Sequence, residues 1–119
     1  MLELIMAIPS VRILLRGGGD LASGVALRLH RAGFQILITE LPQPLAVRRL
    51  VSFSDAVYSG QTQVEEVTAV LAENPAEVNS ILDQRKIPVM VDLEAGALDW
   101  FAPHVLIDAR MLKQPPELA

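Results

Sequence analysis

The sequence predicts an α/β domain built on an open, mainly parallel sheet with helices on both faces. Three observations predict it. Short apolar, β-branched runs alternate with segments of helical periodicity, the pattern of βαβ units. A glycine-rich turn separates the first such run from the first helical segment. The hydrophobic fraction is 51% in a 119-residue chain, as expected where strands are covered on both faces.

Taken in order, residues 11–15 read as the first strand. Leu21, Val25 and Leu29 then repeat at i, i+4 and i+8 with Ala22 and Ala26 beside them, a stripe that predicts a helix packed on the sheet. Arg28, His30 and Arg31 suit the negative end of that helix, with His30 read as a complement to its dipole, and Gly33 supplies a left-handed stop. Residues 35–39 form the second strand. Pro42 and Pro44 break the chain, and residues 45–50 suit a short helix. Residues 56–58 read as a weak third strand and Val67–Leu71 as a fourth, with a helical reading of the latter also open. Asn74, Pro75 and Glu77 mark a helix start whose apolar face is Val78, Ile81 and Leu82. That helix ends before Pro88. Residues 89–92 and Val105–Asp108 are two more strands, each closing on an aspartate, with a helical turn at residues 98–101 between them. One domain over residues 1–119 is expected, with a linker-like tail from Lys113.

Composition excludes several kinds of function. Fourteen acidic against ten basic residues give a net charge of −4, which disfavours nucleic acid as a partner. The absence of cysteine removes disulfide frameworks, thiolate metal sites and cysteine nucleophiles. His30 and His104 are too few for a histidine metal cluster, so no metal site is expected. Glu3 and Arg12 interrupt the apolar start, and no window approaches a membrane span, so the sequence predicts a cytoplasmic protein with no membrane partner. The apolar excess, notably residues 2–8, predicts a homo-oligomer.

Gly17-Gly18-Gly19-Asp20-Leu21-Ala22 matches G-x-G-x-x-G/A, with a strand before it and an amphipathic helix after it. This context makes the predicted fold Rossmann-like. Gly17 permits the tight turn, Gly19 lets a pyrophosphate approach the backbone, and Ala22 lets helix and strand pack closely. The phosphate would rest on main-chain N–H groups at the positive end of the helix. A turn without a ligand is the plain alternative. Asp20 is better read as a cap than as a ligand group, since its charge would repel phosphate.

Glu40 ends the second strand, where a carboxylate accepts hydrogen bonds from ribose hydroxyls and disfavours a 2′-phosphate. A solvated strand-end carboxylate is the alternative. Arg48 and Arg49 have guanidinium forks suited to phosphate, against a solvated pair. Asp92 and Asp108 fall at carboxyl ends of strands, where doubly wound sheets place ligands; an ion pair of Asp108 with Arg110 is the other reading. Tyr58 and His104 lack sequence partners for acid–base work. The chain has two lysines, Lys86 and Lys113, and no Tyr-x-x-x-Lys pair, so a self-sufficient dehydrogenase is hard to assemble.

Four longer segments carry a family resemblance. Arg16-Gly17-Gly18-Gly19-Asp20-Leu21-Ala22-Ser23-Gly24, Glu40-Leu41-Pro42-Gln43-Pro44-Leu45-Ala46-Val47-Arg48-Arg49, Phe53-Ser54-Asp55-Ala56-Val57-Tyr58-Ser59-Gly60 and Val105-Leu106-Ile107-Asp108-Ala109-Arg110-Met111-Leu112-Lys113 resemble the accessory proteins of the selenium-dependent molybdenum hydroxylase system. These are similar to the maturation proteins of xanthine dehydrogenase. The resemblance spans residues 11–113 and implies a longer family architecture with a Rossmann-like fold. It also implies a role in inserting or modifying the molybdenum cofactor, with a molybdenum hydroxylase as partner.

The expected function is therefore a cofactor-handling accessory protein without turnover of its own. It would bind an NAD-like dinucleotide or a molybdopterin-type cofactor, which share a pyrophosphate, at Gly17, Gly18, Gly19, Asp20, Leu21 and Ala22. The alternatives are an NAD-binding oxidoreductase subunit and an NAD-sensing regulatory domain.

Overall fold

The computed structural model describes residues 11–17, 19–40, 52–92 and 96–109. The first βαβ unit is β1 (Arg12–Arg16), α1 (Asp20–Arg31) and β2 (Gln35–Glu40). A 3-10 turn at Phe53–Asp55 runs into α2 (Ala56–Ser59), followed by β3 (Gln61–Val64) and β4 (Val67–Leu71). Then come α3 (Pro75–Asp83), β5 (Ile87–Val91), α4 (Ala97–Phe101) and β6 (Val105–Asp108). The strands form one sheet in the order β3-β4-β5-β2-β1-β6. β3 is antiparallel to β4, and every other neighbouring pair is parallel.

Successive strand residues point to opposite faces, and two apolar cores follow from that alternation. Ile13, Leu15, Ile36 and Ile38 meet Ala22, Ala26 and Leu27 of α1, together with Phe53 and Ala56, on one face. Leu14 and Leu37 meet Val78, Ile81 and Leu82 of α3, with Ala97 and Phe101 of α4, on the other. Helices thus cover both faces, as the sequence predicts. Phe53 and Phe101 are each fully buried, one in each core.

The expected contact stripe of α1 is corrected. Leu21 is 77% and Val25 41% exposed, while Ala22, Ser23, Ala26 and Leu27 are buried. Small side chains let the helix approach the sheet closely, so the alanine face turns inward and the leucine–valine edge outward. Of the stripe, Ala22 and Ala26 lie in the core as expected and Leu29 packs partly against it.

Residues 56–58 form a helical turn in place of the expected strand. Ser52 caps the preceding 3-10 turn by accepting from the Ser54 amide, and Gly60 stops α2 with φ +85°. The sheet gains the polar edge strand β3 instead. Its hairpin turn is Glu65-Glu66, at φ +48° and +73°, a left-handed pair normally signalled by Asn or Gly. Arg31 Nη2 donates to the Glu65 carbonyl over 2.9 Å and fastens this turn to the end of α1.

Asn74 caps α3 by accepting from the Glu77 amide at 2.9 Å, and the Glu77 carboxylate accepts in turn from the Glu73 amide at 2.8 Å. β5 starts earlier than expected and contains Pro88. The proline is tolerated because the β2 ladder to β5 begins only at Val89, so no bond to β2 is lost at Pro88. The expected helix at residues 45–50 and the tail from Lys113 lie outside the described residues. Among the described residues, no helix is long and apolar enough to cross a membrane.

Candidate functional site

The carboxyl ends of the central strands gather most of the residues singled out by sequence. Gly17 follows β1 directly, is buried, and has φ +101°, a region closed to side chains of L-residues. Its amide donates to the Thr39 carbonyl at 2.8 Å, which ties the loop to the end of β2. Gly19 occupies the N-cap position of α1 with extended φ −74° and ψ −166°, and its carbonyl accepts from the Ser23 amide at 2.8 Å. Asp20 is the first residue of the helix, so the cap position belongs to Gly19 and not to Asp20. The loop therefore delivers the amino end of a 12-residue helix to the carboxyl end of β1, where unpaired N–H groups and the helix dipole favour an anion.

The topology next to this loop is that of a doubly wound sheet. β2 and β5 are neighbours, yet the next described helices after them, at residues 53–59 and 97–101, cover opposite faces. Such a divergence leaves space outside the strand ends. Glu40 and Asp92 flank it, joined by a hydrogen bond from the Asp92 amide to the Glu40 carbonyl at 3.0 Å. Asp108 lies on the other side of β1, in register with Arg16. Gly17, Gly19, Leu21, Ala22, Glu40, Asp92 and Asp108 thus all belong to the same end of the sheet. Gly18, Arg48, Arg49 and Arg110 lie outside the described residues.

Asp92 has a local task. One carboxylate oxygen accepts from the Gly96 amide at 3.1 Å and the other from the Ala97 amide at 2.9 Å. The side chain braces the start of α4, as Asp does at helix N-termini.

Sequence reasoning missed a buried hydroxyl group at this end. Ser23, on the first turns of α1, accepts at Oγ from the Phe53 amide over 2.8 Å. Ser52 and Ser54 share a 2.6 Å hydrogen bond between their hydroxyls. All three are at most 1% exposed. They weld the chain returning from β2 onto α1. The signal was present as two serines around Phe53, the spacing of a hydroxyl-capped turn.

His30 stands in the last turn of α1, as the sequence predicts. Burial, and secondarily the adjacent Arg31 charge, lower its pKa from 6.5, against a hydrogen bond to the Arg85 main chain. This disfavours the charged imidazole, so His30 complements the helix dipole less than Arg28 and Arg31 do. It borders a cleft of 290 Å³ with Phe34, Gln35, Arg85 and Lys86 at the amino ends of β2 and β5, the end of the sheet opposite the glycine loop. Among the described residues, no group of three or more His, Asp or Glu stands together as a metal site.

These features define an open, Rossmann-like α/β domain with a glycine turn at its first strand–helix junction. The chain is 44% identical over 102 residues to the uncharacterized protein YqeB of Escherichia coli (strain K12). The match covers 86% of this chain and 19% of YqeB, so the chain spans about a fifth of the length of the curated relative it matches. No family model matches the sequence. No solved structure matches it either.

Proposed function

We propose that this domain binds a phosphate-bearing nucleotide or cofactor at Gly17–Ala22 and serves as an accessory protein of a molybdenum hydroxylase. The binding half of the reading is supported by one observation: Gly17 at φ +101° turns the chain so that Gly19 caps the amino end of α1 next to the carboxyl end of β1. The residues fit a pyrophosphate. Gly19 offers no side chain to obstruct it, and the main-chain amides of the first helical turn can donate to its oxygens. Glu40 is the acceptor for a ribose diol, and its negative charge disfavours a 2′-phosphate. An NAD-like dinucleotide and a molybdopterin dinucleotide both meet these requirements.

The molybdenum assignment rests on the resemblance carried by residues 16–24, 40–49, 53–60 and 105–113. In this reading the chain holds and presents the cofactor without turning it over, in a cytoplasmic setting with a molybdenum hydroxylase as recipient. Mass spectrometry of the purified protein, followed by calorimetry with NAD, NADP and molybdopterin dinucleotide, tests it. A pyrophosphate-containing ligand bound with micromolar or better affinity supports the reading. No heat with any of the three removes it.

A further inference from the structure

We propose that the cleft at the amino ends of β2 and β5 binds a small organic oxyanion, with Arg85 and Lys86 on its carboxylate or phosphate group and Phe34 and Leu82 against its apolar part. The strand register explains why a cleft lies there. Gln35 is paired with Arg12 of β1, and Ile87 with Ala69 of β4. Between β2 and β5 themselves the ladder begins only at Ile38 and Val89. The Asp92 amide reaches β2 at the Glu40 carbonyl. By alternation position 88 faces β2 as well, and proline has no amide hydrogen to give. The two strand starts are therefore held by their outer neighbours and not by each other, and the cleft of about 290 Å³ lies at their approaches.

Two helix ends line it, and both are closed in the same way. After α1 the Gly33 amide donates to the His30 carbonyl at 3.0 Å and the Phe34 amide to the Leu29 carbonyl at 3.2 Å. After α3 the Arg85 amide donates to the Leu82 carbonyl at 2.9 Å and the Lys86 amide to the Ile81 carbonyl at 3.2 Å. This paired closure calls for a left-handed residue, ordinarily glycine. α1 has Gly33 at φ +101°, whereas α3 has Arg85 at φ +60°. Glycine adopts that conformation without strain. A guanidinium kept there at a conformational cost points to a task for the side chain.

The lining is short of counter-charge. Among the described residues Arg31 is ion-paired with Glu65 at 3.5 Å, while Arg85 and Lys86 have no carboxylate within ion-pair distance, Asp83 on the same rim included. The carboxyl end of α3 takes up part of their charge. The charged groups around the His30 ring are Arg31 on its own helix and Asp83, Arg85 and Lys86 at the end of α3. Those that act on the ring are Arg31 and Arg85, and both oppose its protonation. The field in the cleft is thus positive, and an anion bound there would favour the protonated ring. The cleft lies at the opposite end of the sheet from the glycine loop, and the proposal stands whether or not that loop binds a nucleotide.

The two histidines of the chain give a direct readout. Ring-proton NMR at constant ionic strength would follow titration with phenyl phosphate, benzoate and inorganic phosphate. Phenyl phosphate or benzoate should shift the His30 signals saturably and raise the pKa of that ring, leaving His104, on a strand two places from β2, unmoved. The tighter of the two identifies the charged group. Inorganic phosphate should bind about tenfold more weakly or worse, having no apolar part to set against Phe34 and Leu82. Arg85→Gly relieves the left-handed backbone, so it should keep the fold in urea unfolding while weakening binding about tenfold or more, and Lys86→Gln should weaken it too. Gly19→Val should leave the His30 response intact. Shifts that never saturate, an equal response of His30 and His104, or inorganic phosphate binding as tightly as the aromatic anions overturns the proposal. So does full affinity in folded Arg85→Gly, or a His30 response lost in folded Gly19→Val.

Discussion

Arg12 and His104, 92 residues apart, hold each other by reciprocal hydrogen bonds: the Arg12 amide donates to Nδ1 of His104 at 3.0 Å, and the His104 amide donates to the Arg12 carbonyl at 2.8 Å. The Arg12 guanidinium lies 4.9 Å over the Phe101 ring, and its Nη1 donates to the Phe101 carbonyl at 2.9 Å. One residue thereby fixes the start of β1, the end of α4 and the approach to β6. His104→Ala should cost about 0.5–1.5 kcal/mol, the usual worth of one hydrogen bond. Phe101→Ala should cost about 3–5 kcal/mol, through loss of a fully buried aromatic side chain. Urea unfolding followed by Trp100, the single tryptophan, reads both, because its ring meets Phe101 edge-on at 6.1 Å. Equal losses for the two variants would contradict this division.

The two glycines that flank Gly18 should respond differently to substitution. Gly17→Ala forces a side chain into φ +101° and should destabilise the fold by about 1–3 kcal/mol. Gly19 has an extended backbone that valine adopts readily. Gly19→Val should therefore stay folded, losing at most about 1 kcal/mol at the N-cap, while losing phosphate-ligand binding through blocked approach to the backbone. Unchanged calorimetric affinity in a folded Gly19→Val protein would remove the loop from the binding reading.

Glu40→Ala tests the diol. If the carboxylate accepts from ribose hydroxyls, NAD binding should weaken by about 1–3 kcal/mol, the range for a charged acceptor. NADP, which gains relief from charge repulsion, should weaken less or tighten. Equal losses for both would show that Glu40 does not read the 2′ position.

His30 gives the domain an acid-sensitive term. Its folded pKa lies below the ordinary 6.5, through burial first and the Arg31 charge second. As pH falls, the unfolded chain takes up this proton before the folded one does. The stability tied to neutral His30 is complete above about pH 6.5 and is lost as pH falls through that value toward the folded pKa. His30→Gln should shrink the fall in urea midpoint between about pH 7.5 and about pH 5.5. A fall as large as that of the unmodified chain would assign the acid sensitivity to other groups.

The parallel core was legible because its strands are apolar on both faces and its helices carry start and stop signals. Asn74, Pro75 and Glu77 announced α3, and the glycines announced the turn after β1. What escaped was set by tertiary contact. β3 is polar because it lies at an edge, and its Glu65-Glu66 turn has no glycine to mark it. Periodicity put Leu21 and Val25 on the contact face, but the close fit of Ala22 and Ala26 rotated α1 away from it. Pro88 looked like a boundary, and only the stagger of β2 against β5 explains its place within a strand. At the candidate site, the glycine motif singled out Gly17 and strand-end position singled out Glu40 and Asp92, and the fold sets all three at one end of the sheet. The serines at 23, 52 and 54 were not singled out, because they come together only after the chain has returned from β2.

The place of β1 between β2 and β6 also dictates an order of assembly. β1, α1 and β2 are contiguous and can collapse as one unit with short loop closure. β6 must cross the sheet to find a strand made some ninety residues before it, as the 92-residue span from Arg12 to His104 records. During synthesis, one border of β1 therefore waits in the open until nearly all of the described chain has emerged. Pairings of such long sequence separation form slowly, and an unsatisfied apolar strand is an invitation to wrong neighbours in the interval. Among the described residues β6 is the last strand to emerge, so its docking is the step that ends this exposure.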